Sequence, residues 1–257
     1  MSQKNLLSRI GALVSDPRHN FGKVYPYVKS RLIPIKRKTF ELFGNEKFSK
    51  PYSGHNRLLD LLKDKCGGFF VEVGGNDGYF LDPTYYLEKF RGWTGIIFEP
   101  LPQVARLCRK NRRESQVIEA ALVSAGYPDE QVSLIDCNAM SVVKGGVPNY
   151  ESWVKEGERC QKIEAREITV PALTLDKALE RYFSSNKTID LLTIDVEGYE
   201  LEVLKGLNLE KYAPKFILIE ILKDDLREKI EDFLNGRYDF IEIIGDNDFL
   251  YLNKTAH

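Results

Sequence analysis

Hydrophobic and polar positions along the chain follow two alternating rhythms. Short continuous apolar runs at residues 69–73, 94–98, 117–123, 189–195 and 216–221 read as strands buried on both faces. Between them, apolar residues recur at helical spacing: Leu58, Leu59, Leu61 and Leu62, then Tyr86, Leu87 and Phe90, then Val104, Leu107 and Cys108, and later Leu226, Ile230 and Phe233. Asp82-Pro83 supplies a helix start, with Asp as cap and Pro at the first helical position. Residues 200–205 read as a short helix closed by Gly206. Strands and helices alternating at this length require right-handed crossovers, hence a doubly wound sheet. The last two runs, 239–244 and 249–253, are separated only by Gly245-Asp-Asn-Asp248, which allows nothing but an antiparallel hairpin. The expected fold class is α/β, Rossmann-like, with a mostly parallel sheet finished by that hairpin.

The rhythm breaks between 124 and 188, where more residues lie than one crossover helix needs. This insertion holds a strand-like stretch 131–135, a flexible stretch 141–148 with Gly145-Gly146, a strand at 168–170 and a helix at 175–182. It sits above one edge of the crevice where a parallel sheet takes its ligand, so it reads as an acceptor cover or as surface elaboration. The body is expected to span 51–257. Residues 1–50 form a separate segment, with Leu6, Leu7, Ile10, Leu13 and Val14 at helical spacing up to Asp16-Pro17.

Charge sharpens that division. The first 50 residues carry eleven Lys or Arg against three Asp or Glu, and the whole chain has a net charge of −1, so the body stands near −9. An acidic body gives no sign of nucleic-acid binding. The basic segment reads as a helical cap with a solvated rim, or as an arm for a membrane surface or an anionic carrier. Cys66, Cys108, Cys137 and Cys160 include no C-x-x-C pair, which removes zinc sites and redox dithiols and leaves them as small buried hydrophobes. No secretory apolar core or membrane-length run is present, and a cytoplasmic location is the expectation.

The chemistry concentrates at strand ends. The first strand runs into Glu72-Val-Gly74-Gly-Asn76-Asp77-Gly78, and the second stops at Glu99-Pro100. A glycine turn followed about twenty residues later by a carboxylate is how a Rossmann-like sheet holds a nucleoside, the acid accepting from two ribose hydroxyls. The glycine spacing is not G-x-G-x-x-G, and an added acid would repel a pyrophosphate. It suits S-adenosylmethionine, which carries a sulfonium and an ammonium. The expected cofactor set is Glu72, Gly74, Asn76, Asp77, Gly78, Glu99, Pro100, Ala120 (a small residue where an adenine can lie) and Asp195. The fourth strand ends in Asp195-Val-Glu197-Gly198. Asp195, Glu197 and His55 are the candidate catalytic residues, and Glu220 is a further carboxylate at a strand end.

A mostly parallel sheet with a terminal antiparallel hairpin is the class I methyltransferase arrangement. Several stretches together resemble the FkbM family of S-adenosylmethionine-dependent methyltransferases: Tyr52-Ser-Gly-His-Asn56, FFVEVGGNDG at 69–78 with Thr84 and Leu87-Glu88, Trp93-Thr-Gly-Ile-Ile-Phe-Glu-Pro100, and Ile194-Asp-Val-Glu-Gly-Tyr-Glu200 followed by Val203-Leu204. The likeness spans about residues 52–245. His55-Asn56 departs from the Gln-Asp pair that members often have there. The resemblance implies methyl transfer to a hydroxyl of a sugar, glycan or related small molecule. Asp195-Val-Glu197 is also similar to the metal clamp of nucleotide-sugar glycosyltransferases, the competing reading, and a divalent metal can bind such a pair in either case. A non-catalytic binding protein on the same fold is the third.

Overall fold

The computed structural model describes residues 56–62, 65–80, 82–183 and 188–256, with five isolated positions before them. The chain divides into two compact units, Met1–Ser49 and Lys50–His257, and the second carries everything below. The helix expected in the first segment, its basic arm and His55 lie outside the described residues.

Seven strands form the main sheet: β1 (Phe69–Val73), β2 (Thr94–Phe98), β3 (Gln116–Ile118), β8 (Leu191–Ile194), β9 (Phe216–Glu220), β10 (Tyr238–Ile244) and β11 (Asp248–Asn253). Their spatial order is β3-β2-β1-β8-β9-β11-β10. The first five pair in parallel, and β11 runs antiparallel between β9 and β10. This is the class I methyltransferase arrangement that the terminal hairpin implied.

Side chains alternate across each strand, so the sheet has two apolar faces. Val71, Val73, Ile96, Phe98, Ile194 and Ile217 pack on one face. The helices over it are α5 (Leu175–Tyr182), α6 (Glu200–Leu204) and α7 (Asp224–Leu234). Phe70, Ile97, Leu191 and Leu218 pack on the other, under α1 (Asn56–Leu61), α2 (Tyr85–Arg91) and α3 (Pro102–Asn111).

The insertion builds a second sheet of β4 (Ala121–Leu122), β7 (Arg166–Leu173), β5 (Gln131–Asp136) and β6 (Val142–Val143), in that order. Val132, Leu134, Val170 and Ala172 form its small core with Leu101. Three expectations change. The single run 117–123 is two strands, β3 in the main sheet and β4 in the second, because the chain leaves one sheet for the other at Glu119-Ala120. A helix, α4 (Tyr150–Gln161), occupies a stretch for which no element was expected, although Tyr150, Trp153, Val154 and Cys160 recur there at helical spacing. Helix α2 starts at Tyr85, two residues after Pro83, although Asp82 Oδ1 still accepts from the N–H groups of Thr84 (2.8 Å) and Tyr85 (2.7 Å). Of the cysteines, Cys108 and Cys137 are buried while Cys66 is exposed.

Candidate active site

The strand order reverses between β1 and β8, and the crevice beyond their carboxyl ends is where an open α/β sheet takes its ligand. Gly74 closes β1 there at φ +87, its N–H bonded to Phe98 O at 2.9 Å. A Cβ on Gly74 would fall 1.8 Å from the Asp195 carbonyl oxygen, so only glycine lets the two strand ends meet. Asn76 follows at φ +44 and donates its N–H to Glu99 Oε2 at 2.9 Å, while Leu101 N–H donates to Glu99 Oε1 at 2.8 Å. Glu99 is thus fixed at the end of β2, and burial pushes its carboxyl up to about 7 in spite of those two donors.

The crevice is lined by Gly74, Asn76, Glu99, Pro100, Ala120, Asp195 and Glu197, with an apolar wall of Leu101, Val104, Leu122 and Leu134. Asn138, Ser141 and Val143 of the insertion close one side. Three carboxyl groups face this space, and among the described residues its lining holds no Lys, Arg or His. Such a donor set fits a cationic nucleoside: the apolar wall for a purine, spare lone pairs on Glu99 for ribose hydroxyls, and acids for the sulfonium and ammonium of S-adenosylmethionine.

At the floor, one oxygen each of Asp195, Glu197 and Glu220 lie within 4.8 Å of one another. Crowding and burial act together on them. Glu220 is pushed up to about 10, first by burial and then by the charges of Asp195 and Glu197. Glu197 is pushed up to about 9, by burial and then by Asp195 and Glu200. Asp195 is also raised by burial, but the hydrogen bond from Glu220 opposes the shift. The side-chain hydrogen bond between Glu220 and Asp195 ties the two carboxyl groups into one titrating pair. Buried Glu200 shapes the turn above: its Oε1 accepts from the N–H groups of Val196 (3.2 Å) and Gly198 (2.8 Å), around Glu197 at φ +58 and Gly198 at φ +101.

The structure gathers Gly74, Asn76, Glu99, Pro100, Ala120, Asp195 and Glu197 around one space; Glu72, Asp77 and Gly78 do not line it. Asp77 Oδ1 instead accepts from the N–H groups of Tyr79 (2.9 Å) and Phe80 (2.8 Å), which turns the chain. Gly78, at φ +68, leaves room for Arg112, whose Cγ would lie 2.6 Å from a Cβ there. Glu72 is buried beneath the turn with Arg112, Thr84, Asp82 and Glu88. Arg112 donates to Glu72 Oε2 (3.2 Å), Asp82 Oδ2 (2.5 Å), Glu88 Oε2 (3.0 Å) and Thr84 Oγ1 (2.7 Å). Burial, and then the charge of Asp82, push Glu72 up to about 8. Glu200 entered the sequence reading only as part of the family-like stretch 194–200, and its role in folding the turn comes from contacts two and four residues away; the insertion was read only as a cover, without the residues that line the crevice.

Residues 72–244 match the model of the methyltransferase FkbM domain. Over 194 residues the chain is 26% identical to "Methyltransferase 1" of Beauveria bassiana, covering 69% of this chain and 75% of that protein. It is 25% identical over 202 residues to "Methyltransferase sdnD" of Sordaria araneosa, covering 71% and 77%. Among solved structures, the human methyltransferase 10 domain containing protein is similar with a TM-score of 0.49 and 13% identity, over 90% of this chain and 96% of that one. With the matched model spanning both strand-end motifs and the crevice between them, the chain belongs to the FkbM methyltransferase family and is an S-adenosylmethionine-dependent methyltransferase.

Proposed function

We propose that the chain transfers the methyl group to a hydroxyl oxygen of a sugar, glycan or related hydroxylated metabolite. The observation that carries this reading is the cluster of Asp195, Glu197 and Glu220 at the strand ends, one oxygen of each within 4.8 Å of the others, with Asp195 and Glu197 facing the crevice. When bound, S-adenosylmethionine supplies an electrophilic methyl whose leaving group is a neutral thioether. The chain's task is then to position the acceptor, worth up to roughly 7–11 kcal/mol, and to remove one proton. Glu99 and Asn76 would hold the ribose side of the cofactor. Asp195 would take the proton from the acceptor hydroxyl, with the hydrogen bond from Glu220 favouring its carboxylate form. General-base help of this kind contributes about 10²–10⁴-fold.

Three acids and, among the described residues, no base line this crevice, which disfavours a nucleotide-sugar, whose diphosphate needs cationic partners. Calorimetry with S-adenosylhomocysteine, against a nucleoside diphosphate with manganese, tests that choice. A labelled-methyl screen over hydroxylated, amine and carbon acceptors tests the atom methylated: label found only on nitrogen or carbon would end the O-methyl reading. Cofactor binding without turnover of any acceptor would favour the non-catalytic reading. Activity lost to a chelator and restored by magnesium would place a cation among Asp195, Glu197 and Glu220 in the acceptor-positioning role.

A further inference from the structure

A second cavity shares Glu197 with the cofactor crevice. One wall comes from the insertion, with Asn149, Ser152 and Trp153 at the start of α4; the other includes Leu222, Lys223 and Leu226 around the start of α7. The insertion is pressed against the turn that carries Glu197. A Cβ on Gly198 would meet Val147 Cγ1 at 2.9 Å, and one on Gly146 would lie 3.0 Å from the Tyr199 ring. Two glycines, one on each side, make that close approach possible.

Most of the charges in this wall are paired, which leaves Lys223 and Glu197. Glu202 pairs with Lys205 at 2.7 Å, Asp225 with Lys229 at 3.5 Å, and Glu156 with Arg159 at 2.8 Å. Little net charge is left to draw an ionic ligand. What remains is an indole face edged by an amide, a hydroxyl and an ammonium group. The indole Nε1 is buried and has no hydrogen-bond acceptor, so the ring meets the cavity through its carbon atoms.

Resting on the O-methyl reading above, we propose that this cavity is the acceptor pocket, that it takes an uncharged hydroxylated ring in preference to a phosphorylated one, and that Trp153 determines which rings fit. The apolar face of the ring lies against the indole, its flanking hydroxyls meet Asn149 and Ser152, and the hydroxyl to be methylated passes Glu197 into the crevice.

The chain has two tryptophans, and Trp93 is fully buried in the core, so ligand-dependent emission reports on Trp153. Full-length protein saturated with S-adenosylhomocysteine is titrated with the methyl glycosides of glucose, mannose and galactose, and with glucose 6-phosphate. The expected result is quenching by at least one methyl glycoside, abolished in Trp153→Phe. With labelled S-adenosylmethionine, Trp153→Ala should raise the KM for that glycoside tenfold or more and leave S-adenosylhomocysteine affinity within twofold. Quenching that survives in Trp153→Phe, tighter binding of the sugar phosphate, or no response to any glycoside while calorimetry shows S-adenosylhomocysteine bound would each overturn the assignment. If S-adenosylhomocysteine itself does not bind, the methyl-transfer reading fails first and this one with it.

Discussion

The carbonyl oxygen of Asp195 occupies the space that a side chain on Gly74 would need, 1.8 Å from the built Cβ position. The two residues end neighbouring strands, so the glycine turn and the candidate base are set by one contact. Gly74→Ala must move one strand end and also hold alanine at φ +87. The expected loss of stability is at least about 2 kcal/mol, accompanied by loss of S-adenosylhomocysteine binding. A denaturation midpoint and affinity unchanged by the substitution would contradict the contact.

The Arg112 guanidinium is fully buried among Glu72, Asp82 and Glu88, so it holds three carboxyl groups that pair with no other cation among the described residues. Arg112→Met keeps much of the side-chain volume but strands those acids. Removing one partner of a buried ion network costs about 3–5 kcal/mol. Urea denaturation of the ligand-free protein should show a loss of that size, and an effect below about 1 kcal/mol would mean that water reaches the cluster.

Much of this fold was legible in the chain, because strands buried on both faces must be apolar throughout and cannot hide. The runs at 69–73 and 94–98 became β1 and β2 without shift, and the short Gly245 turn fixed the antiparallel end. Helix α4 was missed although Tyr150, Trp153, Val154 and Cys160 stand at helical spacing, because the stripe is interrupted by Gly157, which is there because Cys137 Cβ lies 2.9 Å from where its Cβ would be. Arg112 was equally hidden, since Arg113 beside it has the same local sequence and is exposed. The strand-end acids Asp195 and Glu99 could be read from position alone, whereas the inward turn of Glu72 depends on Arg112 arriving forty residues later.

The raised carboxyl groups give stability a definite slope with pH. Glu99, Glu197 and Glu220 stay protonated in the folded state up to about 7, 9 and 10, against an ordinary value of 4.5. Between those limits the unfolded chain binds fewer protons than the folded one, so stability falls as pH rises. Their contribution is fully present below about pH 4.5 and is lost through the window up to about 10. Ligand-free protein should therefore be more stable to urea at pH 6 than at pH 9, and Glu220→Gln should flatten the upper part of that slope. A stability that climbs from pH 6 to pH 9 would show that these groups ionise freely in the fold.

Asp195 and Glu220 can be separated by substitutions of nearly equal shape. Asp195→Asn keeps hydrogen bonding but removes the carboxylate base, so single-turnover methyl transfer at saturating cofactor and acceptor should fall by about a hundredfold or more. S-adenosylhomocysteine affinity should stay close to that of the unchanged protein. Glu220→Gln retains an N–H donor toward Asp195, so its loss should be under about tenfold, with the pH–rate profile displaced because the proton shared by the pair is gone. The order of the two effects is the test. If Glu220→Gln proves the more damaging, Glu220 is the group that meets the acceptor. If both rates stay near the unchanged value, the proton leaves to solvent and the pair serves only to position the acceptor.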